Sequence, residues 1–169
     1  MRTPFLRAAL VLALAAAACT GAQWTWTTPA VLGEDALLAE LRPRDGERLV
    51  LANFWATWCG PCVAEMPELV ELRPELARDG VRVVAVSLDL ALPPQQVDTP
   101  EKLAAFVEHR GFALPMLAFR GDYGGLAERH GWPLAIPFSV VFGPEGERAR
   151  LDGPGDRAAF EALLARARR

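Results

Sequence analysis

Lysine, histidine and cysteine are scarce in this chain of 169 residues. Lys102 is the only lysine among 18 basic residues, and the chain has two histidines and three cysteines. The formal net charge is −3 with no cluster of basic residues, which argues against nucleic acid as a partner. The apolar run near the N-terminus, residues 8–18, is shorter than the roughly 20 residues that a transmembrane helix needs. With 51% hydrophobic and 23% charged residues, the composition is typical of one globular domain.

The first residues are typical of an export signal. Arg2 and Arg7 supply a short positive segment around the start of the apolar run. Four alanines then lead directly into Cys19. Small residues running into a cysteine resemble a bacterial lipobox, although Ala16 stands where that motif usually has leucine.

This resemblance implies a lipoprotein-type signal peptide over residues 1–18, lipidation at Cys19 and a polar tether over residues 19–29. The mature protein would then be exported to the bacterial cell envelope and held at the membrane by its lipid. An ordinary secretory leader, cut near Ala18 or Ala22, is the alternative.

Two cysteines stand two residues apart in a Cys-Gly-Pro-Cys sequence at residues 59–62. They follow an apolar, strand-like run over residues 49–55 and precede a helical pattern over residues 63–72. This order places Cys59 at the N-terminus of a helix, where free backbone N–H groups and the helix dipole stabilise a thiolate. Because the thiolate is the species that attacks disulfides, the sequence predicts Cys59 as nucleophile and Cys62 as its resolving partner.

The remaining pattern predicts an α/β domain. A strand, a crossover helix that contains Pro67, and a second buried strand form a βαβ unit over residues 48–87. Thr99 and Gly111 bracket the next helix as its N-cap and its C-terminal glycine. The elements predicted after the βαβ unit are a helix over 100–110, a strand over 112–119, a short helix over 126–130, a hairpin over 138–151 and a helix over 156–168.

Four features make the chain similar to the thioredoxin superfamily and, within it, to the TlpA/ResA-like membrane-anchored thiol-disulfide oxidoreductases. They are the segment 53–62 around the cysteines, Glu65-Met66-Pro67 after it, a helix-containing insertion over residues 88–120, and Ile136-Pro137 before the hairpin. The resemblance covers residues 30–169. It implies a thioredoxin-like three-layer fold, in which helices flank a mixed central sheet, with a central insertion.

The resemblance also implies an activity and partners. Such proteins exchange disulfides with protein substrates, and the implied direction is reduction with electrons from a membrane thiol donor. Apocytochrome c, in cytochrome c maturation, is the substrate that the resemblance suggests. The redox-active Cys59–Cys62 disulfide would act without a cofactor or a metal. Oxidase or isomerase activity remains an alternative, because it uses the same residues and depends on the relative stabilities of thiolate and disulfide.

The resemblance gives Glu65 a role in proton transfer. Glu65 lies three residues after Cys62, so both side chains can share one face of the helix. Its carboxyl can accept the proton of the Cys62 thiol, and its negative charge would disfavour a neighbouring thiolate. Asn53 stands where cytoplasmic thioredoxins carry a buried aspartate. Because an asparagine cannot take up a proton, the transfer falls to Glu65, to water or to another group.

The resemblance also implies a substrate-binding surface. A cis peptide bond at Pro137 would present the backbone of Ile136 opposite the two cysteines, where an extended substrate peptide can pair with it. Trp58, Gly60 and Pro61 form the loop around the cysteines, and Trp58 can shield the thiols and contact substrate.

Other uses of two such cysteines fit the sequence less well. A structural zinc site needs four ligands, and besides Cys59 and Cys62 only His109 and His130 are available, in separate predicted helices. A non-enzymatic copper chaperone on the same fold uses two cysteines and a distant histidine, but with three residues between the cysteines. Peroxidases of the wider fold need threonine three residues before their cysteine, and Ala56 stands there. A binding module that only retains a disulfide leaves the prolines and the glutamate of the motifs unexplained.

Overall fold

The computed structural model describes residues 25–94 and 97–169, in which a six-stranded mixed sheet lies at the centre. The predicted signal peptide, residues 1–18, and the predicted lipidation site Cys19 lie outside the described residues. The strands are β1 Ala30–Leu32, β2 Leu49–Trp55, β3 Val81–Ser87, β4 Met116–Phe119, β5 Phe138–Gly143 and β6 Gly146–Asp152. Their order in the sheet is β1-β4-β3-β2-β5-β6. The helices are α1 Glu34–Glu40, α2 Gly60–Arg78, α3 Pro100–Arg110, α4 Tyr123–His130 and α5 Arg157–Ala167.

The two central strands are β2 and β3. They pair in parallel, from Leu49 opposite Val81 to Trp55 opposite Ser87, while β5 pairs antiparallel on the other edge of β2. Every residue of β2 is buried, which explains its uninterrupted apolar sequence. The predicted βαβ unit and the mixed sheet are therefore confirmed.

The sheet has a separate core on each face. Successive side chains of a strand point to opposite faces, so Leu51 and Trp55 enter the core beneath α2, α3 and α5, and this core also holds both cysteines. Val50 and Phe54 enter the other core, which α1 and α4 cover. The arrangement confirms the three-layer fold. Asn53 shares the face of Leu51 and Trp55, and this alternation directs its side chain towards α2.

Helix α2 carries the cysteine pair at its first turn. Cys59 is the N-cap, and Pro61 lies in the first turn, where its missing N–H costs no intrahelical hydrogen bond. Pro67 lies inside the helix as predicted, and Pro74 is a second internal proline, so two backbone donors are absent from the helix interior. After α2 the chain turns into β3 through Gly80, whose φ of 73° is in the left-handed region that favours glycine.

The predicted insertion contains α3 and β4. Helix α3 has the predicted bounds, with Thr99 as N-cap and Gly111 in the left-handed conformation after its last residue. Strand β4 begins four residues later than predicted, because Phe112 donates its backbone N–H to Val107 and still belongs to the turn that closes α3. Strand β4 then pairs in parallel with β3 on one side and with β1 on the other.

The insertion also supports the end of β2. The Trp55 ring lies 6.2 Å from the ring of Phe106 and 6.1 Å from that of Phe112, centroid to centroid. The indole N–H of Trp55 points at Met116 Sδ, with 3.3 Å between nitrogen and sulfur. Trp55 stands four residues before Cys59, so these contacts stabilise the point from which the chain enters the cysteine loop.

The C-terminal part of the chain has the predicted hairpin, β5 and β6, followed by α5. Asp156 caps α5 and accepts the backbone N–H of Ala159 at 2.8 Å. Phe160 and Leu163 then pack into the core beneath α2. Within residues 25–94 and 97–169, none of the helices combines the length and the apolar character that crossing a bilayer requires.

Replacing Leu69 by alanine tests the core beneath α2. Leu69 is fully buried between helix and sheet, so Leu69→Ala should lower the free energy of unfolding by about 2–5 kcal/mol. Urea unfolding followed by circular dichroism measures this loss. Leu134→Ala is the matched control, because Leu134 is 69% exposed and its loss should change stability by less than about 0.5 kcal/mol. Equal effects of the two substitutions would contradict the assigned packing.

Candidate active site

The structure joins Cys59 and Cys62 in a disulfide at the N-terminus of α2. The sulfur of Cys59 accepts the backbone N–H of Cys62 at 3.3 Å, so an N-terminal amide of the helix faces the position where a thiolate would form. Cys62 is completely buried, whereas Cys59 keeps 6% of its surface exposed. Cys59 is therefore the sulfur that an external disulfide can reach.

The backbone before Pro137 lies directly opposite the disulfide. The Ile136–Pro137 peptide bond is cis, as predicted. The carbonyl oxygen of Ile136 lies 3.7 Å from Cys59 Sγ, a contact rather than a hydrogen bond because a disulfide sulfur carries no hydrogen. Ile136 is half-buried and Pro137 buried, while Leu134 and Ala135 just before them are exposed. The backbone of this segment thus borders the reachable cysteine.

Glu65 is buried in the core beside the site. Its side chain is 4% exposed; Oε1 accepts a hydrogen bond from Asn53 Nδ2 and Oε2 accepts one from the backbone N–H of Gly155, each at 2.7 Å. Burial raises the pKa of Glu65 to about 7, and the two hydrogen bonds only partly oppose that shift. Glu65 is therefore not a solvated helix residue, and its carboxyl can change charge near neutral pH.

Three groups that sequence reasoning did not assign complete this cluster. Ser139 accepts a hydrogen bond from Asn53 Nδ2 at 3.0 Å, and the loop of Gly153 and Gly155 closes over Glu65. A Cβ on Gly155 would approach the Phe160 ring to 2.8 Å, so only glycine brings that N–H to the carboxylate. Gly153 donates its own N–H to the carbonyl of Pro137 at 3.0 Å. The loop therefore links the glutamate to the cis-proline segment.

A further unpredicted residue, Asp89, holds the loop before the cysteines. Its buried carboxylate accepts the hydroxyl of Thr57 at 2.6 Å, the backbone N–H of Thr57 at 3.1 Å, and the hydroxyl of Ser87 at 2.7 Å. Thr57 lies two residues before Cys59, so these bonds fix the approach to the helix N-terminus. The signal in the sequence is a polar pair, Ser87 and Asp89, at the carboxyl end of a buried strand.

The other predicted loop residues surround the disulfide. Trp58 is half-buried, while Gly60 and Pro61 are exposed on the outer side of the motif. The histidines lie in separate helices: His109 is exposed in α3, and His130 at the end of α4 stacks on Trp132 at 4.8 Å between ring centroids. Among residues 25–94 and 97–169, no three His, Cys, Asp or Glu side chains are grouped to hold a metal ion.

The sequence of this chain matches a known protein family. Residues 24–147 match the family model described as the AhpC/TSA family. The chain belongs to this family. A peroxidase of the wider fold would need threonine three residues before Cys59, and the buried Ala56 occupies that position.

Curated relatives of this AhpC/TSA family member carry thiol-disulfide oxidoreductase names. "Thiol:disulfide interchange protein HelX" of Rhodobacter capsulatus is 34% identical over 126 residues, which are 73% of this chain and 62% of that protein. "Thiol-disulfide oxidoreductase ResA" of Oceanobacillus iheyensis is 60% identical over 40 residues, 24% of this chain and 21% of that protein. The predicted resemblance to ResA-like proteins is confirmed. The chain spans between about a fifth and three fifths of the length of these relatives.

Solved structures agree on the fold. The chain is similar to StoA from Bacillus subtilis, with a TM-score of 0.56 and 23% identity over 72% of this chain and 85% of that one. It is also similar to a thioredoxin-related protein from Neisseria meningitidis serogroup B, with a TM-score of 0.59 and 24% identity over 72% and 86% of the two chains. The thioredoxin-like fold class is confirmed.

The raised pKa of Glu65 predicts how stability depends on pH. Its pKa is 4.5 in an ordinary environment and about 7 in the folded protein, so the folded state holds the extra proton between these values. The contribution of Glu65 to stability is therefore fully present below about pH 4.5 and is lost as the pH rises to about 7. The loss is at most about 3 kcal/mol, at 1.36 kcal/mol per pKa unit.

Urea unfolding of the oxidised protein across this pH range measures the effect. The difference in stability between wild type and Glu65→Gln isolates the contribution of Glu65, because all other titrating groups are shared. We expect this difference in stability to change between about pH 4.5 and pH 7 and to stay constant above about pH 7. Glu71→Gln removes an exposed glutamate of the same helix and should leave the pH dependence of wild type unchanged. A pH-independent difference for Glu65→Gln would refute the raised pKa.

Proposed function

We propose that this chain is a thiol-disulfide oxidoreductase that exchanges electrons with protein substrates through Cys59 and Cys62. The observation that carries the proposal is the disulfide at the N-terminus of α2 with one reachable and one buried sulfur. The helix N-terminus favours a thiolate at Cys59, and the resolving sulfur is protected from other reactants. The names of the ResA and HelX relatives support the same reaction class.

In the reducing direction, exchange proceeds in two displacements. The Cys59 thiolate attacks one sulfur of the substrate disulfide; a mixed disulfide forms and the other substrate sulfur leaves as a thiolate. The Cys62 thiolate then attacks the sulfur of Cys59, the mixed disulfide breaks, and the second substrate sulfur leaves. Two electrons have passed to the substrate, and the Cys59–Cys62 disulfide of the structure is the product.

We propose Glu65 as the group that accepts the proton of Cys62 before the second displacement. Both residues lie on α2, three positions apart, and both are buried. A carboxyl whose pKa is about 7 is well matched to a proton acceptor that works near neutral pH. Asn53 cannot take this role, because an amide does not titrate.

We propose that substrate binds as an extended peptide along the segment before Pro137. The carbonyl of Ile136, 3.7 Å from Cys59 Sγ, is positioned to accept a backbone N–H from a substrate whose disulfide meets Cys59. Backbone pairing gives affinity without strict sequence preference. The half-buried Trp58 directly precedes Cys59 in the chain and would also contact the substrate.

Reduction is the direction that we propose. Gly60 and Pro61 between the cysteines carry no charge, and the first turn of α2 contains no cation that would stabilise the reduced thiolate. When ionised, Glu65 further disfavours a thiolate at the neighbouring cysteines. Both effects stabilise the disulfide relative to the dithiol and so lower the reduction potential.

The physiological setting that we propose follows the sequence resemblance. The protein would be exported to the cell envelope, with residues 1–18 removed, a lipid on Cys19, residues 19–29 as tether and residues 30–169 as the catalytic domain. It would receive electrons from a membrane thiol donor and reduce protein disulfides such as that of apocytochrome c in cytochrome c maturation. The exchange reaction itself needs no cofactor beyond the cysteine pair.

Substitution of each cysteine tests the order of attack. Cys59→Ser should abolish reduction of insulin disulfides, because no nucleophile remains at the surface. Cys62→Ser should accumulate mixed disulfides that are visible on non-reducing gels, because the resolving thiol is absent. Cys19→Ser is the control and should retain wild-type activity. Full activity of Cys59→Ser or Cys62→Ser would refute the mechanism.

The reduction potential of the Cys59–Cys62 couple tests the direction. Equilibration of the protein against glutathione and dithiothreitol should give a value near that of thioredoxin, about −270 mV. Such a value identifies a reductant that must be supplied with electrons outside the cytosol. A value near about −120 mV, the range of a strong oxidant, would replace the proposed reductase by a disulfide donor.

A further inference from the structure

The side-chain amide of Asn53 has an unbalanced set of hydrogen bonds. Its Nδ2 donates both hydrogens, one to Glu65 Oε1 at 2.7 Å and one to Ser139 Oγ at 3.0 Å. Its Oδ1 is buried and has no hydrogen-bond partner among the described residues. Asn53 is completely buried and Ser139 is 1% exposed. A buried acceptor without a donor is costly, so the orientation of this amide in the structure is kept by the two hydrogen bonds of Nδ2.

The hydrogen bonds around Glu65 determine which oxygen can take up a proton. The backbone N–H of Gly155 donates to Oε2 at 2.7 Å and cannot accept, so a proton on Oε2 would have no acceptor among these hydrogen bonds, and we place the proton on Oε1. There it would meet an N–H of Asn53 across 2.7 Å, with two hydrogens between the same two atoms. The orientation in the structure therefore fits the ionised carboxylate but not the protonated acid.

We propose that Asn53 is an amide switch, a positioning residue that turns its side-chain amide over when Glu65 takes up a proton. In the ionised state, Nδ2 donates to Glu65 and to Ser139. In the protonated state, Oδ1 replaces Nδ2, accepts the new O–H of Glu65 at Oε1, and accepts the hydroxyl of Ser139, which becomes a donor. Both states then provide a partner for the glutamate.

The switch rests on the proposed function in one respect, namely that the proton comes from Cys62. In that step the Cys62 thiol loses its proton and becomes a thiolate, while Glu65 becomes a neutral acid, so charge is conserved. The switch deepens this role, because it lets a buried carboxyl hold the proton without an unsatisfied O–H. The polar groups around Glu65 are Asn53 of β2 and Gly155 of the loop before α5, which bond it directly, and Ser139 of β5, which bonds Asn53. None of these groups is charged. Among the described residues, no charged side chain contributes to the raised pKa.

Nuclear magnetic resonance can follow the amide directly. Asn53 is the only asparagine of the chain, so labelling with 15N-asparagine gives one side-chain amide signal. The measurement uses the whole 169-residue chain in its oxidised form, in which neither Cys59 nor Cys62 titrates, so that the result is independent of exchange activity. We expect the amide signal to shift with one inflection near pH 7. Nuclear Overhauser contacts from the amide hydrogens to the Ser139 β-hydrogens should be present above the inflection and lost below it.

Two variants distinguish a switch from a simple response to charge. Glu65→Gln places a neutral amide where the protonated acid would be, so the contacts to Ser139 should be absent at every pH. Glu71→Gln, an exposed glutamate on α2, should give the titration of wild type. Contacts to Ser139 that persist below the inflection, or an amide signal without an inflection between about pH 5 and 9, would overturn the proposal. If Glu65→Gln does not fold, the wild-type titration alone tests the proposal.

Discussion

The short turn between β2 and α2 is the constraint on which the rest of the site depends. Strand β2 is buried along its whole length and hydrogen-bonded on both edges, so it cannot slip without moving both cores of the sheet. Residues 56–59 then lead directly into the helix, and Asp89 holds Thr57 within that turn. The helix N-terminus at Cys59 is thereby anchored to the sheet, which gives the disulfide a fixed place opposite Ile136.

A fixed disulfide also gives the two sulfurs different environments. Cys59 sits at the edge of the core as the helix N-cap, and Cys62 lies one turn deeper. The deeper sulfur needs a proton acceptor that is itself inside the protein, since water has little access there. In the proposed mechanism Glu65 is this acceptor, and its burial has a cost because it favours the neutral form of the carboxyl. The hydrogen bonds from Asn53 and Gly155 offset part of that cost and leave the pKa near neutrality.

The insertion and the loop before α5 each stabilise a different part of this site. Phe106, Phe112 and Met116 of the insertion pack on Trp55 and stabilise the end of β2. The loop of Gly153 and Gly155 bonds both to Pro137 and to Glu65. The cis-proline segment and Glu65, for which we propose roles in substrate binding and proton transfer, are thus held by one segment of backbone. Elements far apart in sequence therefore share the task of positioning two cysteines.

The sequence by itself determined the cysteine motif, the strand and helix around it, the three-layer fold and the position of the cis-proline segment. These follow from local patterns, namely uninterrupted apolar runs, a proline in the first helical turn, and caps such as Thr99 and Gly111, and from the resemblance of short motifs. Only the tertiary structure decided which polar groups surround Glu65, and it added Asp89, Ser139 and Gly155 to the site. The reason is physical. A hydrogen bond between residues 86 or 90 positions apart leaves no periodic trace in the chain, and the pKa of a carboxyl depends on the burial that the whole fold creates.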